Sequence, residues 1–560
     1  MDNINEKHRE FSSLKEIVDT NAKNFPFGTA FNIKDPNGNL RNISHKKFQN
    51  EVRYLSTALF RKGLERKNIA LSLKNSYEWC LSYFSVSCAL AVCVPLDKEM
   101  IAEDIFHIIE FAEIKAFITD KKTALLLLSF EKLPSDFLII STDNSDDKRI
   151  ISFESLLEEG KKLTESGDGF YYNSKPDSSD LSAILFTSGT TGMAKGVMLT
   201  QKNILSDIYS VVNLINITEK DSTLCILPLH HAYQSIVFLM MLSVGGSVSF
   251  CENLLRFSSD LLFYKPTIFV TVPLMLEKIH KKIMSEAESK SGVKKALTSK
   301  NALRIISKIA KEDVRKKIFT SIHKSLGGNV NMIITGAAKM NENIAKDYFS
   351  FGIPVIIGYG LTECSPIAIC NTKEDARPDS IGRAVIGAQA KIHNPDNNGI
   401  GEIIIKGPMV MKGYYKNEKE TEKVLRDGWL YTGDMGYMDE NGYFYITGRI
   451  KNVIVTKNGK NIYPEELEYY LNTHKEISDC LVYKGEGEEE TVSARIFPEK
   501  DEIRRLLKKD NLTDEEIYKA VETAVKKVNA LLPSYKSIKS FEIQKEDFDR
   551  TSTHKIKRNY

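Results

Sequence analysis

Residues Thr187-Ser188-Gly189-Thr190-Thr191-Gly192-Met193-Ala194-Lys195-Gly196 place four hydroxyls, three glycines and a lysine within one short stretch. Hydroxyls and backbone N–H groups donate hydrogen bonds to phosphate oxygens, and an ammonium adds a point charge. Glycine lets the backbone come close to what it holds. The chemistry is that of a polyphosphate grip. The pattern is not G-x-x-x-x-G-K-[ST], so this is not a P-loop. The same composition also suits a flexible surface loop, and the residue types alone leave both readings open.

The elements that must position this loop alternate. Ala183 to Phe186 reads as the end of a buried strand leading into it. Upstream, Leu14 to Ala22 and the stretch from Ser44 through Leu59 read as helices, with Ile69 to Leu73 strand-like between segments. Trp79 to Leu90 is an apolar helix, and Ala91 to Leu96, Ala116 to Thr119 and Phe137 to Ile140 continue as strands. Downstream strands are expected at Leu224 to Pro228, Val244 to Phe250, Thr267 to Pro273, Val330 to Ala338 and Val355 to Gly360, with a helix over Leu274 to Met284. Strands alternating with helices argue for layered α/β sheets. After Ile381 the texture changes to short strands separated by turns, a β-rich subdomain. The last 110 or so residues carry their own pattern and predict a small α+β domain. The expected division is therefore 1–449 and 450–560.

A chain of 560 residues exceeds a single core. Its 42% hydrophobic and 27% charged content is ordinary for a globular protein, and a net charge of +3 does not point to nucleic acid. None of the eight cysteines forms a CxxC pair, so no zinc site or disulfide framework is indicated. Residues 1–23 lack an apolar signal-like core, and Ile236 to Cys251 is too short and glycine-interrupted to span a bilayer. The expectation is a cytoplasmic protein with reduced thiols. The segment 281–324 is strongly basic, with thirteen Lys/Arg against four Asp/Glu. It reads either as a solvated helical hairpin or as an amphipathic insertion with Ile305, Ile306, Ile309 and Val314 as its apolar stripe. In the second case it suits the inner face of an anionic membrane or an acidic carrier protein. Oligomeric state is left open.

Further signals follow the loop in a fixed order: Leu227-Pro228-Leu229-His230-His231, Gly358-Tyr359-Gly360-Leu361-Thr362-Glu363, Tyr431-Thr432-Gly433-Asp434, Gly448-Arg449 and Thr551-Ser552-Thr553-His554-Lys555-Ile556-Lys557-Arg558. With these motifs in this order, the chain resembles the adenylate-forming enzymes: acyl-CoA synthetases, luciferases and the adenylation domains of peptide synthetases. The resemblance runs nearly the whole length of the chain.

The resemblance implies roles that the chemistry of each residue supports. Thr187, Ser188, Gly189, Thr190, Thr191, Gly192 and Lys195 would hold the β- and γ-phosphates of ATP. Tyr359 would stack on adenine, with Gly336 and Ala337 lying against the base and Gly360 and Thr362 beside the phosphate. Glu363 is a hard oxygen ligand for Mg²⁺. Asp434 would accept the ribose hydroxyls and Arg449 donate to ribose or phosphate. His231 would lie beside the acyl pocket. Lys555 would reach the carboxylate and α-phosphate during adenylation. It departs from the family pattern in having His554, rather than glycine, before it. Lys451 occupies the hinge about which the small domain of relatives rotates. Gly459 would let the pantetheine arm of coenzyme A pass.

The implied reaction has two halves: a carboxylate attacks Mg·ATP to give acyl-adenylate and pyrophosphate, then the thiol of coenzyme A displaces AMP. The run from His230 to Ser235 has no aspartate to hold an α-amino group, and no carrier domain follows Lys555. Both points argue against an amino-acid substrate. Leu227 to Lys282 and Lys460 to Glu468 are similar to long-chain fatty acyl-CoA synthetases, so a long-chain fatty acid is expected. An acyl-carrier-protein ligase and a non-catalytic nucleotide- or lipid-binding relative remain as alternatives.

Overall fold

The computed structural model describes residues 8–130, 133–187, 195–288, 298–455, 461–485, 492–550 and 556–558. Hydroxyl caps set the opening helices. Ser13 and Ser44 accept from backbone N–H groups at the starts of Leu14–Asn24 and His45–Arg61, and Ser76 does so for Tyr77–Cys88. The last of these is buried on every side, which its run of aromatic and small residues permits.

Two large sheets form the body of the chain, as the alternation predicts. One is nine-stranded and carries a parallel run in which Ile268–Thr271, Met332–Gly336 and Val355–Tyr359 lie side by side. The other is eight-stranded. Within it Leu181–Thr187 pairs antiparallel with Lys195–Thr200. The residue types of Thr187 to Gly196 suggest a loop ending at Gly196, whereas Lys195 begins a strand of its own. A core runs between the sheets, built from residues such as Phe31, Trp79, Phe84, Phe238 and Ile356, with further clusters on the outer faces.

The β-rich subdomain is a five-stranded sheet containing Gln389–His393, Gly401–Lys406, Trp429–Met438 and Phe444–Arg449. Beyond it, a three-stranded sheet (Ile477–Lys484, Val492–Pro498 and Ile538–Ile543) packs with the helices Pro464–Asn472 and Asp514–Leu531 around a separate core. Leu467, Leu471, Val482, Ile496, Val521 and Val528 fill it. The fold is thus a large α/β part with a smaller α+β part.

The small part touches the large one through charges. Lys281 lies 3.3 Å from Glu499 and 3.5 Å from Glu502, and the Lys339 ammonium sits 4.1 Å above the Tyr469 ring. Glu277 is half-buried nearby with Asp479 facing it. Burial first, and then Asp479, raise its carboxyl to about 7.

The basic segment begins in the helix Pro273–Glu288 and, from residue 298 on, folds as the helices Lys300–Ile309, Glu312–Ile318 and Thr320–Ser325. Its expected stripe is split. Ile306 turns inward beside Leu303, while Ile305, Ile309 and Val314 are exposed. A spacing of three brings Leu303 and Ile306 to the core side, and this sends Ile305 and Ile309 to the far side. Among the described residues no helix is long and apolar enough to cross a membrane, and all eight cysteines are free and buried.

Candidate functional site

Three sheets contribute one piece each. From the nine-stranded sheet come the carboxyl ends of two adjacent parallel strands, the place where open α/β sheets bind ligands. Gly336 and Gly358 are partners in register there. A Cβ on Gly336 would stand 2.7 Å from the Gly358 carbonyl, so the two backbones need glycine to lie this close. Ala337 follows in the left-handed region at φ 69°. Tyr359 and Gly360 come next, and a Cβ on Gly360 would collide with the Pro366 carbonyl at 1.7 Å. The chain then makes a short turn over Thr362–Cys364 that carries Thr362 and Glu363.

From the five-stranded sheet come Asp434 and Arg449, which face each other across two antiparallel strands. Arg449 Nε donates to Asp434 Oδ1 at 2.7 Å, and the Tyr359 hydroxyl donates to Asp434 Oδ2 at 2.8 Å. One carboxylate therefore ties the second sheet to the first. Burial works against the Arg449 charge, but Asp434 and then Tyr359 outweigh it, and the guanidinium pKa is raised. Burial, and then Asp434, push the Tyr359 phenol well above its ordinary value, so it stays a donor.

From the eight-stranded sheet come Thr187 and Lys195. They are cross-strand partners that close the hairpin bearing the phosphate-grip residues. Lys195 Nζ reaches Glu420 at 2.5 Å and lies 5.1 Å over the Tyr414 ring. The Tyr414 hydroxyl in turn donates to Glu363 Oε1 at 2.8 Å. Lys195, Tyr414, Glu363 and the Tyr359–Asp434–Arg449 chain thus border one space. Tyr414 and Glu420 escaped sequence reasoning. Nothing in the spacing marks Glu420 among the glutamates of Glu418–Val424, and only its place beside Lys195 singles it out. Hydrogen bonds from Lys195 and then Lys423 hold its carboxyl at about 2.

Glu363 Oε1 is occupied by Tyr414, while Oε2 has no hydrogen-bond partner among the described residues. One free carboxylate oxygen fits Mg²⁺, which takes its other ligands from phosphate and water. Among the described residues no group of three or more His, Cys, Asp or Glu side chains could form a cage by itself.

Beside Gly336 and Tyr359 a small hollow, partly open to solvent, leads into the body of the protein. Val211, Ile215, Val237, Met240, Ile334 and Ile356 line it, and no charged side chain does. Tyr233 crosses its wall, its hydroxyl 3.2 Å from the Thr271 carbonyl and 3.3 Å from that of Ile334. His231 begins the same helix, Ala232–Ser243, from its N-cap position. Its ring lies tilted against that of His230, with ring centres 4.2 Å apart, and it is not part of the lining. His230 lies 3.6 Å from Asp97, and burial lowers its pKa. Ser188, Gly189, Thr190, Thr191, Gly192, Gly459 and Lys555 lie outside the described residues. The ends of the last segment are fixed: Arg550 and Ile556 are bridged, and Arg558 reaches Glu468 at 2.5 Å.

Residues 18–415 match the family model of the AMP-binding enzymes, and residues 451–560 match the AMP-binding enzyme C-terminal domain. Over 511 residues the chain is 31% identical to long-chain-fatty-acid–CoA ligase 5 of Rattus norvegicus, covering 85% of this chain and 74% of that one. It is 26% identical over 541 residues to a long-chain-fatty-acid–CoA ligase of Mycobacterium tuberculosis, covering 91% and 88%. Among solved structures, an anthranilate CoA ligase in complex with anthranoyl-AMP superposes with a TM-score of 0.77 at 20% identity, over 99% of this chain and 97% of that one. O-succinylbenzoate coenzyme A synthetase from Bacillus subtilis in complex with ATP and magnesium ion superposes at 0.72 and 20% identity, over 98% of both. The chain belongs to the AMP-binding enzyme family, among its AMP-forming acyl-CoA synthetases.

Proposed function

We propose that this enzyme activates a long-chain fatty acid and transfers it to coenzyme A. ATP, Mg²⁺ and coenzyme A are the co-substrates of its family. The observation that carries the choice of acid is the hollow beside Tyr359. It is walled by aliphatic side chains and offers no carboxylate to an α-amino group and no cation to a second acid group. An unbranched alkyl chain gains about 0.8 kcal/mol per buried methylene in such surroundings. The kinship with the rat and mycobacterial ligases points the same way.

In this reading adenine lies against Gly336, Ala337 and Tyr359, Asp434 takes the ribose hydroxyls, and Arg449 steadies that carboxylate while reaching toward phosphate. Thr187, Lys195 and the hairpin loop hold the β- and γ-phosphates, with Thr362 near the α-phosphate. Glu363 holds Mg²⁺, which neutralises phosphate charge. An acid oxygen bonds to the α-phosphorus as the bond to the bridging oxygen breaks and pyrophosphate leaves. Lys555 supplies charge to that transition state. The coenzyme A sulfur, having lost its proton to solvent, then bonds to the acyl carbon as AMP departs. His231, at the N-cap of the helix that walls the hollow, stands near the acyl path without lining it, and Gly459 borders the pantetheine arm. The two domains divide between Arg449 and Ile450, where a strand gives way to the turn Ile450–Asn452, and the smaller one rotates about Lys451 between the half-reactions.

ATP–pyrophosphate exchange across a panel of acids, followed by coenzyme A addition, tests the reading. Exchange is expected to rise with alkyl chain length and AMP release to require coenzyme A. Exchange supported best by aromatic or short acids would overturn the choice of substrate. Acyl transfer to a carrier protein but not to coenzyme A would overturn the choice of acceptor.

A further inference from the structure

The helix Lys300–Ile309 is held from one side. Leu303 is buried and Ile306 is half-buried, both in the cluster that includes Phe319 and Phe351. On the opposite side Ile305 and Ile309 are 57% and 78% exposed and stand one turn apart. Arg304 and Lys308 run beside them at the same spacing, both exposed. The next helix, Glu312–Ile318, repeats the arrangement. Val314 and Ile318 are 48% and 38% exposed, also four residues apart, while Arg315 turns inward to the Phe349 carbonyl at 2.6 Å. Exposed Lys311 and Lys317 flank this second pair. Among the described residues none of these four cations has a carboxylate within 4.0 Å. The nearby Glu312 is taken by Lys316 at 2.7 Å and Lys373 at 3.5 Å.

Single exposed aliphatic residues are common on soluble proteins, but exposed i,i+4 pairs on two successive helices, each beside unpaired cations, are a pattern. It matches helices that lie in the headgroup plane of a bilayer, with aliphatic side chains entering the acyl boundary and cations meeting lipid phosphates. It does not match the core of a protein interface, which favours aromatic residues and excludes lysine. We propose that residues 304–318 form a docking surface for anionic lipid, with Ile305, Ile309, Val314 and Ile318 entering the headgroup boundary and the four cations pairing with phosphate. The proposal does not depend on which acid the active site takes.

Flotation of the full-length protein with vesicles tests it, using phosphatidylcholine alone or mixed with phosphatidylglycerol. Binding is expected to the mixed vesicles only, and to weaken with added salt. Reversing two cations in the Arg304→Glu, Lys308→Glu variant should lower the partition coefficient by at least about thirtyfold, the loss of two attractive charges alone. Replacing the outward pair in the Ile305→Ser, Ile309→Ser variant should weaken binding at every salt concentration. Both variants should keep the wild-type melting temperature and pyrophosphate exchange, since all four side chains are exposed. Equal binding to neutral vesicles, no binding to either, or wild-type partition of both variants would overturn the proposal. So would capture of an acidic carrier protein that the charge reversal abolishes while vesicles are ignored, which would mark a protein interface instead.

Discussion

Asp434 and Arg449 stand opposite each other on neighbouring antiparallel strands, with Nε 2.7 Å from Oδ1, while the second carboxylate oxygen accepts from Tyr359 on a different sheet. Replacing Asp434 with alanine strips both donors of their acceptor. It leaves the Arg449 charge uncompensated where burial already disfavours it. Because Arg449 is itself part-exposed, a loss of about 1–2 kcal/mol of stability is expected in urea unfolding, together with at least a tenfold rise in KM for ATP. Asp434→Asn should recover much of the stability and little of the ATP affinity. Recovery of both would remove Asp434 from the ribose site.

Lys195 is engaged with Glu420. In the proposed reading, incoming phosphate displaces that carboxylate. Glu420→Gln is therefore expected to lower KM for ATP by a few-fold, roughly fivefold at most for a solvent-screened pair. Lys195→Ala should raise it more than tenfold. A higher KM in the glutamine variant would show that Glu420 positions the lysine rather than competing for it.

Glu277 makes the contact between the two parts sensitive to pH. Its folded value is raised to about 7 from 4.5, by burial and then by Asp479, which is itself paired with Arg550 at 2.8 Å. The Asn341 backbone offsets this only in part. Between those two values the folded protein keeps a proton that the unfolded chain has released. Its contribution therefore falls as pH rises through the window and is level above about 7. A shift of this size corresponds to about 3 kcal/mol. Glu277→Gln should unfold at higher urea than wild type above pH 7, with the advantage vanishing toward the acid end. A constant difference across the window would refute the assignment.

Gly360 admits no side chain. A Cβ there would sit 1.7 Å from the Pro366 carbonyl, backbone that cannot rotate away. Gly360→Ala is expected to cost about 3 kcal/mol and to lower ATP binding with it, because Tyr359 and Glu363 hang from the same turn. Calorimetry alongside nucleotide titration separates the two effects.

Arg558 anchors the far side of the segment that carries Lys555, through Glu468 at 2.5 Å and Glu465 at 3.7 Å. Lys555→Ala is expected to abolish adenylation while sparing thioester formation from supplied acyl-adenylate. Arg558→Ala should reproduce that selectivity at reduced size, about tenfold, as a positioning effect. Equal loss of both half-reactions in either variant would count against a role confined to adenylation.

Most of this architecture could be read in the chain because its signals are local. Ser44 before an amphipathic run, a small-residue strand end at Gly336 and the turn at Gly358 to Glu363 each announce their element within a few residues. What escaped depends on distance. Tyr414 and Glu420 acquire their meaning from Glu363 and Lys195, which lie far from them in sequence. The stripe at Ile305 and Ile309 was read as a single face because periodicity gives the spacing of apolar residues but not which of two faces meets the core. Leu303 decides that, through its burial beside Phe319.

The assembly of the nucleotide space from three separate sheets has a consequence for biosynthesis. Thr187 emerges early, Tyr359 well after the midpoint, and Arg449 later still. In the proposed reading, a nascent chain on the ribosome therefore completes its nucleotide site only after about four-fifths of it has been made, and the two large sheets pack without help from ATP.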